Sequence, residues 1–161
     1  MRILIFIEGT ILMHSSSTDV AREERVAQVV RKDPTVRDYK TYIPNSLAVE
    51  KIQKWSKQGA EIYYLTSRRE NKEIEDIRNV LIKYNFPQSQ NLVFREEGES
   101  YADVAEKIMP DILIEDDCES IGGEAEMTYP HINPDFQNNI KSVIVREFEG
   151  IDKLSEDVTL L

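Results

Sequence analysis

At 161 residues, with 40% hydrophobic side chains, the chain has the length of one compact unit and the apolar content to bury roughly 70% of its unfolded surface. A formal charge of −10 excludes a general nucleic-acid binder, which needs cations against phosphates, but not a small phosphorylated ligand held in one local cationic pocket. The single cysteine, Cys118, excludes an internal disulfide, and no Cys/His cluster has zinc-site spacing. No apolar run reaches ~18 residues, so no membrane span is expected. Met1 to Ile7 reads as a strand, not a cleavable leader, and the expectation is a cytoplasmic protein. Nothing here speaks to the oligomeric state.

In chain order, Ile3-Leu4-Ile5-Phe6-Ile7 is short, apolar and β-branched, which predicts a strand buried on both faces of a parallel sheet. Residues 11–43 break the pattern that follows. His14 to Thr18 reads as loop. Asp19 is placed to cap a short helix with Val26, Val29 and Val30 inward, and Asp33-Pro34 ends it. About thirty residues of this kind predict a flap or small lid after the first strand. A helix then follows Pro44, with Asn45 and Ser46 as candidate caps, Ala48, Ile52 and Trp55 on one stripe, and Gly59 as the stop.

Ile62-Tyr63-Tyr64-Leu65 predicts the second main strand. Ser67-Arg68-Arg69-Glu70 fits a capping box ahead of the stripe Ile74, Ile77, Leu81 and Tyr84. Leu92-Val93-Phe94 predicts a third strand. Ser100 to Asp103 matches an acidic capping pattern for a helix that carries Val104, Ala105 and Ile108 and stops at Pro110. Ile112-Leu113-Ile114 and Val143-Ile144-Val145 complete five strands. Gly122-Gly123 predicts a tight turn, and His14 and His131 read as surface or loop residues.

Alternation of strands and helices predicts an α/β fold: a three-layer, Rossmann-like parallel sheet with helices on both faces, residues 1–161 forming one domain. Ligands in such sheets sit at the carboxyl ends of the strands. The chemistry is therefore expected in Glu8-Gly9-Thr10, Thr66-Ser67-Arg68 and Glu115-Asp116-Asp117, which end the first, second and fourth main strands. Asp116 and Asp117 offer hard oxygen ligands suited to Mg²⁺. Thr66 offers a hydroxyl, Ser67 a helix start that favours an anion, and Lys107 or the Arg68-Arg69 pair a cation. Each has an ordinary competitor: a solvated turn for the acidic pair and Glu8, a helix cap for Thr66, surface charges for Lys107, Arg68 and Arg69. Cys118, beside acids, reads as a small buried filler.

Over residues 1–10 and 45–147 these three strand ends resemble motifs of the haloacid dehalogenase (HAD) phosphohydrolase superfamily, with the run Asp111 to Asp117 especially similar. The resemblance implies a Mg²⁺-dependent phosphate-monoester hydrolase acting on a small phosphorylated molecule. Glu8 would be the general acid and base. Gly9, Thr10, Thr66, Ser67 and Arg68 would bind phosphate, Lys107 would supply a catalytic cation, and Glu8, Asp116 and Asp117 would hold the metal. One departure is severe: Phe6 occupies the position of the family's nucleophilic aspartate, and a phenyl ring cannot attack phosphorus. Three readings follow. The retained motifs favour phosphatase ancestry with catalysis lost or impaired at Phe6. The alternatives are a non-catalytic phosphate- or metal-binding regulatory module and a hydrolase in which Glu8 drives direct attack by water. If the rest of the site is intact, Phe6→Asp should restore turnover.

Overall fold

The computed structural model describes residues 1–161. Five strands form one parallel sheet: β1 (Arg2–Phe6), β4 (Glu61–Leu65), β5 (Leu92–Val93), β6 (Ile112–Asp116) and β7 (Lys141–Val145), in the order β5-β4-β1-β6-β7. The central strand comes first in the chain. Ile3 lies opposite Ile62 on one side and Ile112 on the other, and Ile5 opposite Tyr64 and Ile114. Ile3, Leu4 and Ile5 are all fully buried because each face is covered, which is why the run is continuously apolar and not alternating.

The strand period sorts these residues into two layers. Ile3, Ile5 and Ile7 pack with Ile52 and Trp55 of α2 (Ala48–Lys57) and with Ile74, Ile77 and Leu81 of α3 (Asn71–Lys83). Leu4 packs on the opposite face with Leu65, Leu113 and Ala102, Val104 and Ala105 of α4 (Tyr101–Ile108). The result is the three-layer, Rossmann-like α/β architecture expected from the chain order. Each fully buried isoleucine or leucine contributes roughly 1.5–3 kcal/mol through the hydrophobic effect.

Helix starts agree less well with the sequence patterns. At α4 both arms of the capping box form: the Asp103 N–H donates to Ser100 Oγ at 3.1 Å and the Ser100 N–H to Asp103 Oδ2 at 2.7 Å. Ser100→Ala is expected to lower stability by about 1 kcal/mol, read as a shift in the urea midpoint at unchanged slope. The box at Ser67–Glu70 does not form. The next helix, α3, starts at Asn71, after Glu70, with no side-chain cap. Neither does Asn45 or Ser46 cap α2. Asp152, from the segment after β7, accepts the Leu47 N–H at 3.0 Å and the Ser46 hydroxyl. A distant carboxylate supplies what the local residues do not, so no local pattern revealed it.

Residues 11–43 contain β2 (Leu12–Met13), α1 (Arg22–Val30) and several single 3₁₀ turns. β2 pairs antiparallel with β3 (Ile43–Pro44). Of the predicted inward residues of α1, Val26 and Val29 are partly buried and Val29 lines a cavity, but Val30 is not inward. Val30 is 64% exposed, and Gln28 is the buried residue, its Oε1 2.8 Å from Nε2 of a buried His14. His14 also meets Ser17 Oγ at 2.9 Å and packs edge-on against Phe148. Polar pairing across the segment modified the pattern that hydrophobicity alone implied, and His14 is a core residue, not a surface one. No helix is long and apolar enough to cross a membrane.

Candidate functional site

From β1 the chain moves through β4 to β5 on one side, whereas β6 and β7 lie on the other. This reversal leaves a crevice at the carboxyl ends of β1 and β6, where open α/β sheets bind ligands. A cavity of about 450 Å³ occupies it. Its floor is formed by Phe6, Glu8, Gly9, Ser67, Arg68 and Asp116. Residues 11–43 contribute His14, Tyr39 and Tyr42 to the wall.

Three successive residues after β4 converge on one carboxylate. The Thr66 hydroxyl donates to Glu8 Oε1, the Ser67 N–H donates to Oε2 at 3.0 Å, and Arg68 Nε lies 3.6 Å from Oε1. Arg68 is held independently of Glu8. Its guanidinium lies 4.5 Å from the centre of the Tyr39 ring and donates to the Tyr39 and Ser67 hydroxyls. The donors come from a loop, not from a helix start, because α3 begins four residues beyond Ser67.

The opposite wall is acidic. Asp116 accepts the Thr10 hydroxyl at 2.9 Å on one oxygen and the Cys118 N–H at 2.9 Å on the other. Burial pushes the Asp116 carboxyl up to about 7, and the charge of Glu147 adds to the rise, against those hydrogen bonds. Glu147 is itself buried and accepts the Ser120 N–H and hydroxyl, both at 2.7 Å. Gly9 is required between these walls. Its φ is +83°, and a Cβ there would come within 2.8 Å of Asp116 Oδ2.

At the end of β1 the Phe6 ring meets Tyr101 edge-on, centroids 5.1 Å apart, and Tyr101 carries the Arg95 guanidinium 3.7 Å above its ring. Aromatic and cationic side chains thus close the cavity at the end of β1. Cys118 is half-buried on the cavity wall, not a filler, and burial beside acids raises its thiol pKa, so it is no substitute nucleophile.

The expected site residues therefore divide. Phe6, Glu8, Gly9, Ser67, Arg68 and Asp116 line the cavity, and Thr66 and Thr10 bond directly to its carboxylates. Lys107 does not belong to it. It projects from α4 into solvent and pairs with Glu99. Arg68 is the cation beside Glu8, and Lys32 and Arg37 of residues 11–43 also line the cavity. Of the three carboxylates expected to hold Mg²⁺, Glu8 and Asp116 line the cavity and Asp117 does not. Glu8 is turned onto Thr66, Ser67 and Arg68, and Asp117 Oδ1 accepts the Glu147 N–H at 3.0 Å. No group of three or more His, Cys, Asp or Glu side chains is arranged to hold a metal. Sequence reasoning missed Glu147, Tyr101 and Tyr39. The first was within reach, since Glu147 lies just past the fifth strand, at the same sheet edge.

No protein-family model matches the sequence, and no curated protein matches it. Solved structures do. The fold is shared with class C acid phosphatases. The chain is similar to the class C acid phosphatase from Bacillus anthracis, at 13% identity with a TM-score of 0.57, over 92% of this chain and 67% of that one. It is also similar to the tungstate-bound form of that enzyme, at 13% identity and a TM-score of 0.55, over 92% of this chain and 68% of that one. In the shared fold of this chain Phe6, Thr66 and Asp116 stand at the ends of three neighbouring strands.

Proposed function

We propose that this chain is a phosphatase-fold protein that binds a small phosphorylated molecule and does not hydrolyse it. The observation that carries the reading is Phe6, whose ring packs on Tyr101 where the reaction needs an attacking oxygen. The phosphoryl end would rest on the Thr66 hydroxyl, the Ser67 N–H and Arg68. These are charge-assisted or backbone donors suited to an oxyanion. The body of the ligand would face Tyr39, Tyr101 and His14. Asp116, uncharged for much of the time near neutral pH, spares the bound anion one negative neighbour. In this reading residues 1–161 act as one domain and residues 11–43 as the cap that selects the ligand. That the similar acid phosphatase was also solved with tungstate bound, a tetrahedral oxyanion, supports an oxyanion ligand.

In this reading Mg²⁺ would bind weakly through Asp116, with waters completing its shell, and the titrations with and without the ion test it. Direct attack by water is the competing reading: a ligand that takes Thr66, Ser67 and Arg68 would free the Glu8 carboxylate to draw a proton from water, so phosphate release is measured beside binding.

The test is calorimetric titration with a panel of sugar phosphates, nucleotides and aryl phosphates, with and without Mg²⁺, and measurement of released phosphate in the same samples. Saturable binding without release is expected for at least one ligand, weakened about tenfold or more by Arg68→Ala. Mg²⁺-dependent release by the unaltered protein, abolished by Glu8→Gln, would overturn the proposal and restore the hydrolase reading.

A further inference from the structure

We infer that the Glu8 carboxylate is a built-in occupant of the oxyanion site, so that ligand binding is an exchange in which Glu8 leaves Thr66, Ser67 and Arg68. The inference rests on the proposal that these three residues hold a phosphoryl group. It adds what the site does without a ligand.

The donor geometry carries the argument. A hydroxyl, a backbone N–H and a guanidinium from consecutive residues meet the two oxygens of one carboxylate. Carboxylate and phosphate oxygens are alternative acceptors for the same donors, because both are anionic and both are met by charge-assisted bonds near 2.7–2.9 Å. Glu8 is the only carboxylate paired with Arg68. It also reaches the donors from a different strand end. Backbone pairing holds β1 beside β4 as far as the Ile7 N–H, which donates to the Leu65 carbonyl at 2.9 Å. Past that point the Glu8 side chain alone spans the gap, and it borders the cavity. Rotation about its side-chain bonds suffices to withdraw it, with no movement of the sheet.

The site left behind would stay formed. Arg68 keeps its place over the Tyr39 ring and its bond to the Ser67 hydroxyl, neither of which involves Glu8. The Arg68 N–H also donates to Thr66 Oγ1 at 3.2 Å, which fixes the loop. The donors are thus organised in advance, and a tethered carboxylate competes for them at high effective concentration. Inorganic phosphate, which touches nothing else in the cavity, should bind poorly against that competitor. A ligand whose body also fills the cavity can displace it. The exchange therefore selects against bare phosphate.

The experiment is calorimetric titration of sodium phosphate at constant ionic strength. The unaltered protein is compared with Glu8→Ala, with Glu8→Ala/Arg68→Ala, and with Glu73→Gln. The last removes a negative charge that acts on Arg68 without touching the donors. Glu8→Ala should bind phosphate at least about tenfold more tightly than the unaltered protein, and the double variant should lose the gain. Glu73→Gln should stay close to the unaltered protein. Equal affinity in the unaltered protein and Glu8→Ala would overturn the exchange while leaving the oxyanion site standing. An equal gain in Glu73→Gln would reduce the effect to general charge relief and overturn it too. Absence of binding in both Glu8→Ala and the unaltered protein would defeat the oxyanion site itself. If Glu8→Ala does not fold, carbon and nitrogen NMR of the unaltered protein decides. Phosphate should move the Glu8 carboxyl and Ser67 amide signals with one shared midpoint, and chloride should not. Separate midpoints, or no movement of Glu8, would overturn the exchange.

Discussion

Phe6→Asp is expected to cost about 2–4 kcal/mol of stability and to leave phosphate-monoester hydrolysis at background. Removing a buried phenyl ring costs roughly 3–5 kcal/mol, and Phe6 is half-buried, so the packing loss sits toward or below the low end. Its edge contact with Tyr101 is lost as well, about 0.5–1.5 kcal/mol beyond area. The new carboxylate would also enter a cavity already walled by Asp116 and Glu147. Catalysis needs more than the attacking atom. Without a ligand Glu8 is engaged with Thr66, Ser67 and Arg68, and Lys107 points into solvent, so the expected general acid and one expected cation are out of place. Urea unfolding measures the first part, and phosphate release with and without Mg²⁺ the second. Strong Mg²⁺-dependent release by Phe6→Asp would mean that the surrounding machinery is intact, and that Phe6 alone separates this protein from a working phosphatase.

Asp116→Asn should make the protein more stable than the parent at about pH 8, by roughly 2–4 kcal/mol, with the advantage shrinking toward pH 5. In the unfolded chain this carboxyl titrates near 3.8, whereas in the folded protein burial pushes it up to about 7. Between those values the folded state keeps a proton that the unfolded state has lost. Stability therefore falls as pH rises through this window, by at most about 1.4 kcal/mol per pH unit, and the penalty is complete above the folded value. Asparagine imitates the neutral acid. Its carbonyl accepts the Cys118 N–H, and its amide donates to Thr10 Oγ1, whose hydroxyl turns to match. Groups not coupled to Asp116, such as the buried His14 whose pKa burial lowers, are common to both proteins and cancel in the difference, whereas Glu147, coupled to Asp116, shifts with it. Paired urea melts across this range make the measurement. A constant difference between the two proteins at every pH would show that Asp116 is not the titrating group.

The sheet was legible because its evidence is local and redundant. Five apolar runs, each flanked by polar or turn residues, fold as five parallel strands, and the box at Ser100–Asp103 needs only neighbours three residues apart. The strand-end rule then brought Glu8, Thr66 and Asp116 to one crevice. What escaped depends on contacts between distant parts of the chain. Asp152 satisfies the start of α2, so the caps proposed at Asn45 and Ser46 were superfluous. His14 is buried because Gln28 and Ser17 answer its ring nitrogen, which no hydrophobicity pattern encodes. Lys107 had the right charge and the right helix, but the direction of a side chain on a helix face is set by packing. Ser67 to Glu70 matched a capping pattern whose serine hydroxyl is engaged elsewhere, accepting from the Arg68 guanidinium.

The position of β1 at the centre of the sheet governs how this chain must acquire its structure. The most apolar strand is made first, yet its two partners lie roughly sixty and a hundred residues downstream. During synthesis, at about 5–20 residues per second, Ile3 to Ile7 waits seconds for Glu61–Leu65 and several more for Ile112–Asp116. No early hairpin shields it, because parallel neighbours require long crossovers. Until β6 arrives, the segment is a short, uncharged, β-branched stretch with open edges, the profile of an aggregation nucleus. Productive folding of this protein is therefore a race between intramolecular closure and capture by other chains. Yields on refolding should rise with dilution and with chaperones that hold the first strand until the fourth main strand is available.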